Sequence, residues 1–406
     1  INVPGIPMKV ALIHDWLNGL RGGERCLLEF LTLFPSADVF TLVHTPGATS
    51  PLVDSRVKQV STLQSFPLSQ KLYRHYLPLF PAAAASLKPV GYDLVISLSH
   101  AAAKNIHVPC GTPHLCYCFT PMRYIWDQAS TYFGMGTYPL WPILSALRAW
   151  DKRRSEGVSE FVAISRFVAA RIRKFYGRKS TVVYPPVDTQ WITPRAKSSQ
   201  SEPWFLYAGA FVPYKKPDLV VQAFNVLGLP LKVVGSGPLE STLRELAGPT
   251  VEVVGRVSDK ELGEYYSRAK ALLFPVREDF GMVPIEALAG GCPVIGCFAG
   301  ALRETVTGLR PFQPEVVISE PTGVFYAASR NRAEEVLAIA DSVRYFLENE
   351  SSISAENCVS RSRVFSPERF RSQIVSVVRG LVTDSVGESL ALDGDSHRWG
   401  DECAQT

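Results

Sequence analysis

The chain has 406 residues, 46% of them apolar and 20% charged, with a net charge of only +4. That length favours two domains of roughly 150–200 residues, and the small net charge argues against a dedicated nucleic-acid binder. No apolar run reaches the roughly 18–20 residues that cross a bilayer, which leaves small anionic ligands and membrane surfaces as compatible partners.

Ile1–Pro7 lacks the basic and apolar regions of a signal peptide, and Met8 reads as the natural start. Apolar, β-branched runs then alternate with helical patterns. The predicted strands of the first half are Lys9–Ile13, Val39–Val43, Asp93–Leu98, His114–Cys118, Phe161–Ile164 and Thr181–Val183. Those of the second half are Trp204–Tyr207, Leu231–Val234, Val251–Val254, Ala271–Phe274, Pro293–Ile295 and Gly323–Phe325. Such runs are apolar throughout rather than alternating, as parallel strands covered on both faces require. Strand–helix alternation of this kind makes an α/β protein with two doubly wound, Rossmann-like sheets.

The polar stretch within Asp188–Pro203 follows the stiff Pro185-Pro186 pair and separates the halves. The expected domains are residues 8–190 and 204–365, followed by a helix at 366–383 that packs back on the first domain. A disordered acidic tail is expected at 384–406. The eight cysteines fall mostly in apolar runs without zinc-ligand spacing, which reads as buried, reduced thiols of a cytoplasmic protein. Two parallel sheets facing each other across a cleft would gather ligands at the carboxyl ends of their strands. Functional residues are therefore sought in the loops after strands.

The richest such segment is Phe274–Gly296 (FPVREDFGMVPIEALAGGCPVIG), which reads as strand, loop, helix, glycine turn and strand. Glu278 lies in the loop and Glu286 eight positions later in the helix, with Phe280, Gly281, Met282 and Val283 between them. Read singly, each acid is also explained without a ligand, as a solvated loop acid or a helix-dipole partner. Lys215 and Lys216 follow the strand at Trp204, where a lysine reaches a diphosphate and offsets leaving-group charge. Gly235, Ser236 and Gly237, then Arg256 and Val257, follow the next two strands, and Gly300 follows Ile295. Glycines there permit close backbone approach to a ligand or simply make tight turns. In the first half, Gly22 and Gly23 precede a helix opened by Glu24 and leave free amides. His14 and His100 are further candidates.

The Glu278-(seven residues)-Glu286 pattern with Phe280-Gly281 and Glu286-Ala287-Leu288 resembles the signature of retaining family 4 glycosyltransferases of the two-Rossmann (GT-B) type. HDWLNGLRGGERCLLEF, YDLVISLSH and CYCFTPMRYIWD resemble the subgroup containing O-antigen mannosyltransferases, and the likeness runs from Met8 to about Val382. It implies that Glu278 lies at the donor sugar, that Glu286 holds the ribose hydroxyls and that Lys215 binds phosphate. It also implies that Arg123, Tyr124, Trp126 and Asp127 line the acceptor side. The implied reaction moves a hexose, expected to be mannose from GDP-mannose, to a glycan or lipid-linked saccharide. It needs no metal or other cofactor and no nucleic acid, and it is compatible with peripheral contact at the inner membrane face.

Two positions depart from the resembling enzymes: Ala210 stands where an Arg is usual, and Phe119 where a His is usual. They motivate the alternative of a catalytically weakened sugar-nucleotide-binding or partner-binding protein of the same fold. A sugar-nucleotide epimerase is a further alternative. The basic run Arg166, Arg171, Arg173, Lys174, Arg178 and Lys179 is expected to be a solvated helix face.

Overall fold

The computed structural model of the chain describes residues 8–127, 129, 139–194 and 202–393. These residues divide into two compact units. One takes in the chain up to Ile164, Val168–Val183 and the chain from Arg371 onward, and the other takes in Ser165–Phe167 and Tyr184–Phe370.

The first unit contains a seven-stranded parallel sheet. Its strands are β1 (Val10–Leu17), β2 (Asp38–His44), β3 (Val57–Val60), β4 (Leu94–Ser99), β5 (His114–Cys118), β6 (Glu160–Ala163) and β7 (Thr181–Val182), in the order β3-β2-β1-β4-β5-β6-β7. The second unit repeats the plan with β8 (Phe205–Ala208), β9 (Leu231–Val234), β10 (Val251–Gly255), β11 (Leu272–Phe274), β12 (Val294–Cys297), β13 (Gly308–Leu309) and β14 (Gly323–Tyr326). Their order is β10-β9-β8-β11-β12-β14-β13. All pairings are parallel, and β4, β5, β8 and β12 are buried along their whole length, as uninterrupted apolar runs demand. The α/β fold with two doubly wound sheets is thus present. Each sheet reverses direction at a switch point, β1/β4 in one unit and β8/β11 in the other, where such sheets place their ligands.

All twelve predicted strands occur. The two unpredicted ones are the edge strand β3 and the two-residue edge strand β13, which carry too little apolar sequence to announce themselves. The larger difference is β1, which continues to Leu17 and so makes His14, Asp15 and Trp16 buried strand residues. Its register explains why. β1 pairs with β2 as far as Leu17↔His44 but with β4 only as far as His14↔Leu98. Past that point the Asp15 carboxylate takes over, accepting hydrogen bonds from the amides of His100, Ala101, Ala102 and Ala103 at 2.6–2.8 Å.

Two further expectations change. The last helix runs Pro367–Asp393, through part of what was expected to be a disordered tail; residues 394–406 lie outside the described residues, as do 1–7 and 195–201 of the stretch between the halves. Within the first unit Arg371 Nη1 meets Glu29 Oε2 at 2.6 Å. Arg171 is buried rather than solvated, donating to Thr120 and, at 2.6 Å, to Asp127 Oδ1, while Arg178 donates to the carbonyls of Ser155 and Val158. Tyr73, Leu77, Phe80, Ala83 and Ala84 enter the core, so Tyr73–Leu87 is mainly a packing segment. Six of the seven described cysteines are buried, Cys110 is exposed, and all seven are free thiols.

Candidate functional site

In the second unit the loops after β8, β9 and β10 are tied by their backbones. Gly209 N–H donates to Val234 O at 3.0 Å, Phe211 N–H to Ser236 O at 2.9 Å and Gly235 N–H to Gly255 O at 2.9 Å. A Cβ on Gly235 (φ 146°) would sit 1.8 Å from Gly209 O, and one on Gly237 (φ 154°) 2.6 Å from Phe211 O. Within the chain these glycines serve loop-to-loop contact, which is why no other residue fits there.

The two adjacent lysines part company. Lys216 adopts the left-handed conformation (φ 52°, ψ 40°) as it opens the helix Pro217–Leu227. Its ammonium lies 2.7 Å from both carboxylate oxygens of the buried Glu335. Sequence reasoning placed Lys216 among the donor-binding residues; the geometry instead commits its charge to holding the loop. Lys215 is left to face the site, with Nζ 3.2 Å from Glu278 Oε1, both side chains being partly exposed.

Glu278 follows β11 and is held through its backbone: its carbonyl accepts from Ala301 N–H at 3.0 Å. Gly300 (φ 62°) allows that approach, because a Cβ there would lie 2.4 Å from the same carbonyl. Gly281 (φ 82°) caps the helix Met282–Ala289 and would place a Cβ 3.5 Å from Glu278 Oε2. Tyr207, buried under this loop, bonds Lys215 O at 3.3 Å; burial, then Glu278, raises its pKa and keeps the phenol protonated. Glu286 is 8% exposed, and its Oε2 accepts a 3.0 Å hydrogen bond from Tyr266. Burial, reinforced by Glu286, raises the Tyr266 pKa, so the phenol remains a donor.

The remaining predicted donor residues scatter. Met282 and Val283 are half-buried at the start of that helix. Phe280 is buried against Tyr184 and Phe365, a packing role. Arg256 is exposed beyond β10, beside half-buried Val257, and enters no ion pair among the described residues. Ala210 is exposed, and Arg277 stacks on Phe167 at 4.9 Å.

In the first unit Gly22 and Gly23 are the first residues of the helix Gly22–Leu33 rather than preceding it, and Glu24 Oε2 accepts from Arg21 N–H at 3.0 Å. His14, His100 and Phe119 form a ring cluster with centroids 6.1–6.4 Å apart. A Cβ on Gly23 would lie 3.3 Å from His14 Nε2 and 3.6 Å from the Phe119 ring. His100 Nδ1 is 3.1 Å from Asp15 Oδ2. Burial lowers the His100 pKa, with His14 and Arg123 acting the same way against Asp15 and Glu24. Trp126, expected on the acceptor side, stacks on Phe175 and donates to Asp151 Oδ2 at 2.7 Å, so its polar edge is spent inside the unit.

Sequence reasoning missed Asp15, Tyr207, Tyr266 and Glu335. Asp15 carried a usable signal, an acid embedded in the apolar run VALIHDWL. The others are partners whose separation in sequence hides them.

The fold defines a class, the two-sheet GT-B proteins. Residues 20–191 match the family model described as Glycosyltransferase Family 4, and residues 190–364 match that described as Glycosyl transferases group 1. The two matches follow one another along the chain and together run over residues 20–364, so each half resembles the corresponding half of such glycosyltransferases. It is 29% identical over 195 residues to a GDP-mannose-dependent alpha-(1-6)-phosphatidylinositol monomannoside mannosyltransferase of Mycobacterium tuberculosis, covering 41% of this chain and 51% of the relative. It is 27% identical over 264 residues to the lipopolysaccharide core biosynthesis mannosyltransferase LpsB of Rhizobium meliloti, covering 57% of this chain and 71% of the relative. The chain spans about half the length of most of the curated relatives it matches. Among solved structures, Anabaena HepE in complex with UDP superposes with a TM-score of 0.65 at 16% identity, covering 92% of this chain and all of that one.

Proposed function

We propose that the protein transfers a hexose from a nucleotide-sugar donor to a saccharide acceptor with retention at the anomeric carbon, using the β8/β11 switch point as its donor site. The observation that carries this reading is the Lys215–Glu278 pair at 3.2 Å; Glu286, eight positions on in the helix that follows, is oriented by Tyr266. Glu286 accepts hydrogen bonds from vicinal ribose hydroxyls, for which a carboxylate has the lone pairs. Lys215 and the free amides at the start of the helix Met282–Ala289 take up the negative charge that develops on the leaving diphosphate. Glu278 meets the donor hexose. An entering diphosphate competes with Glu278 for the Lys215 ammonium, which frees the carboxylate for the sugar. The transition state is oxocarbenium-like, so the protein's work is positioning and leaving-group stabilisation. That charge balance calls for no metal, and turnover is expected to persist in EDTA.

Two mannosyltransferase relatives favour a GDP-mannose donor and a glycan or lipid-linked acceptor. Ala210 and Phe119 favour a second reading, a protein that binds sugar nucleotides but turns them over slowly, since neither side chain can donate a hydrogen bond. Nucleoside diphosphate release from GDP-, UDP- and ADP-hexoses, with anomeric proton NMR of the product, separates the two readings. Release from one donor class with a retained anomeric configuration supports transfer. Binding without release, restored by Ala210→Arg or Phe119→His, supports the second reading.

A further inference from the structure

We infer that His14 is a hydroxyl-recognition residue of the first unit, its Nε2 accepting a hydrogen bond from a sugar hydroxyl that enters over Gly23. The sugar as ligand rests on the proposed function. The ring itself is fixed by β1, with Nδ1 3.1 Å from the carbonyl oxygen of Trp16. A carbonyl only accepts, so the proton of the neutral imidazole resides on Nδ1 and Nε2 carries the lone pair. His14 is wholly buried, and its Nε2 has no hydrogen-bond partner among the described residues. A buried polar atom left that way costs about 1–3 kcal/mol, and native proteins seldom leave one without use.

The surroundings define what fits. A Cβ on residue 23 would lie 3.3 Å from Nε2 and 3.6 Å from two ring carbons of Phe119, so any side chain there would crowd the approach to Nε2, and glycine avoids that crowding. Gly22 and Gly23 occupy the first turn of a twelve-residue helix, where amide N–H groups lack intrahelical acceptors. The site therefore offers one acceptor and nearby donors. That pairing matches a hydroxyl, which both donates and accepts, whereas the Nε2 lone pair repels a phosphate oxygen. Phe119 supplies an apolar wall for the carbons around it, and the polar His100 ring lies 6.2 Å from that of His14.

The test is long-range proton–nitrogen NMR of the full chain labelled with ¹⁵N-histidine, the His14 signals being assigned by loss in His14→Gln. The expected free state has Nδ1 protonated, and a sugar is expected to move the Nε2 resonance. GDP-, UDP- and ADP-hexoses are compared with the bare nucleotides, and mannobiose serves as acceptor probe. A shift with a nucleotide-sugar but not its nucleotide assigns the hydroxyl to the donor, and a shift with mannobiose assigns it to the acceptor. Because His14→Gln alters a buried strand, Gly23→Ala provides the second test: alanine suits a helix, so folding is retained while the approach is blocked. It is expected to raise the KM for the sugar ligand roughly three- to tenfold, the worth of one hydrogen bond, and to leave thermal stabilisation by the nucleotide intact. The inference is overturned if free His14 carries its proton on Nε2, or if neither sugar class moves the signal. Those outcomes leave the donor-site reading standing whenever a nucleotide still stabilises the protein. Failure of every nucleotide to stabilise it sinks that reading instead, while the mannobiose arm still decides the role of His14.

Discussion

At the scale of single residues, adjacent or similar side chains are given different tasks by their partners. Lys215 and Lys216 are neighbours, yet one faces Glu278 and the other is clamped by Glu335. Lys215→Ala is expected to lower kcat by about 10²–10³-fold, the usual cost of losing one donor aimed at developing charge, with the melting temperature nearly unchanged. Lys216→Ala should instead destabilise the fold by roughly 1–3 kcal/mol in chemical denaturation, because the buried Glu335 loses its cation and keeps, among the described residues, only the long Tyr326 hydrogen bond. His114 illustrates a purely structural histidine. It is buried against Ser97 Oγ at 2.8 Å, and burial, then the charge of Lys104, pushes its pKa down to about 3. Its folded pKa lies below the unfolded value of 6.5, so the unfolded chain takes up the proton first. Stability from this group is complete above pH 6.5 and declines as pH falls towards about 3. The melting temperature measured across that window should fall in the parent and fall less steeply in His114→Asn.

At the scale of elements, the loops after β8, β9 and β10 act as one body because backbone meets backbone. Gly235→Ala forces a Cβ to within 1.8 Å of Gly209 O and is expected to destabilise the protein by about 2 kcal/mol or more, read by urea unfolding. Donor affinity should weaken with it, since Lys215 follows the displaced loop. The strands themselves were legible in the sequence wherever both faces are covered, from Val10 to Tyr326, because an uninterrupted apolar run has few other uses. Edge strands β3 and β13 escaped notice, since an open edge asks less of its residues. The candidate site was half legible. Glu278 and Lys215 in the loops after strands, and Glu286 in the helix that follows, stand at a recognisable spacing. Tyr266 and Glu335 were not legible, because each earns its place through a partner 20 or 119 positions away. Pairings at such separations leave no local trace.

At the scale of the whole molecule, the order of the first five strands recurs in both units and the last two are exchanged in the second, so each has a switch point at the equivalent position in its sheet. Candidate chemistry gathers at both: His14, Asp15, Gly23 and His100 at β1/β4, and Lys215 and Glu278 at β8/β11. The recurrence gives each unit its own place for a ligand, consistent with a donor and an acceptor bound by different halves. No helix among the described residues is long and apolar enough to cross a membrane. The central claim, that a nucleotide-sugar binds through Glu286, is tested most directly by calorimetric titration with GDP, UDP, ADP and their hexose conjugates, on the parent and Glu286→Gln. The account predicts binding selective for one nucleotide and weakened about tenfold or more by the substitution. Absence of binding by all of them, or equal affinity in parent and variant, would contradict it.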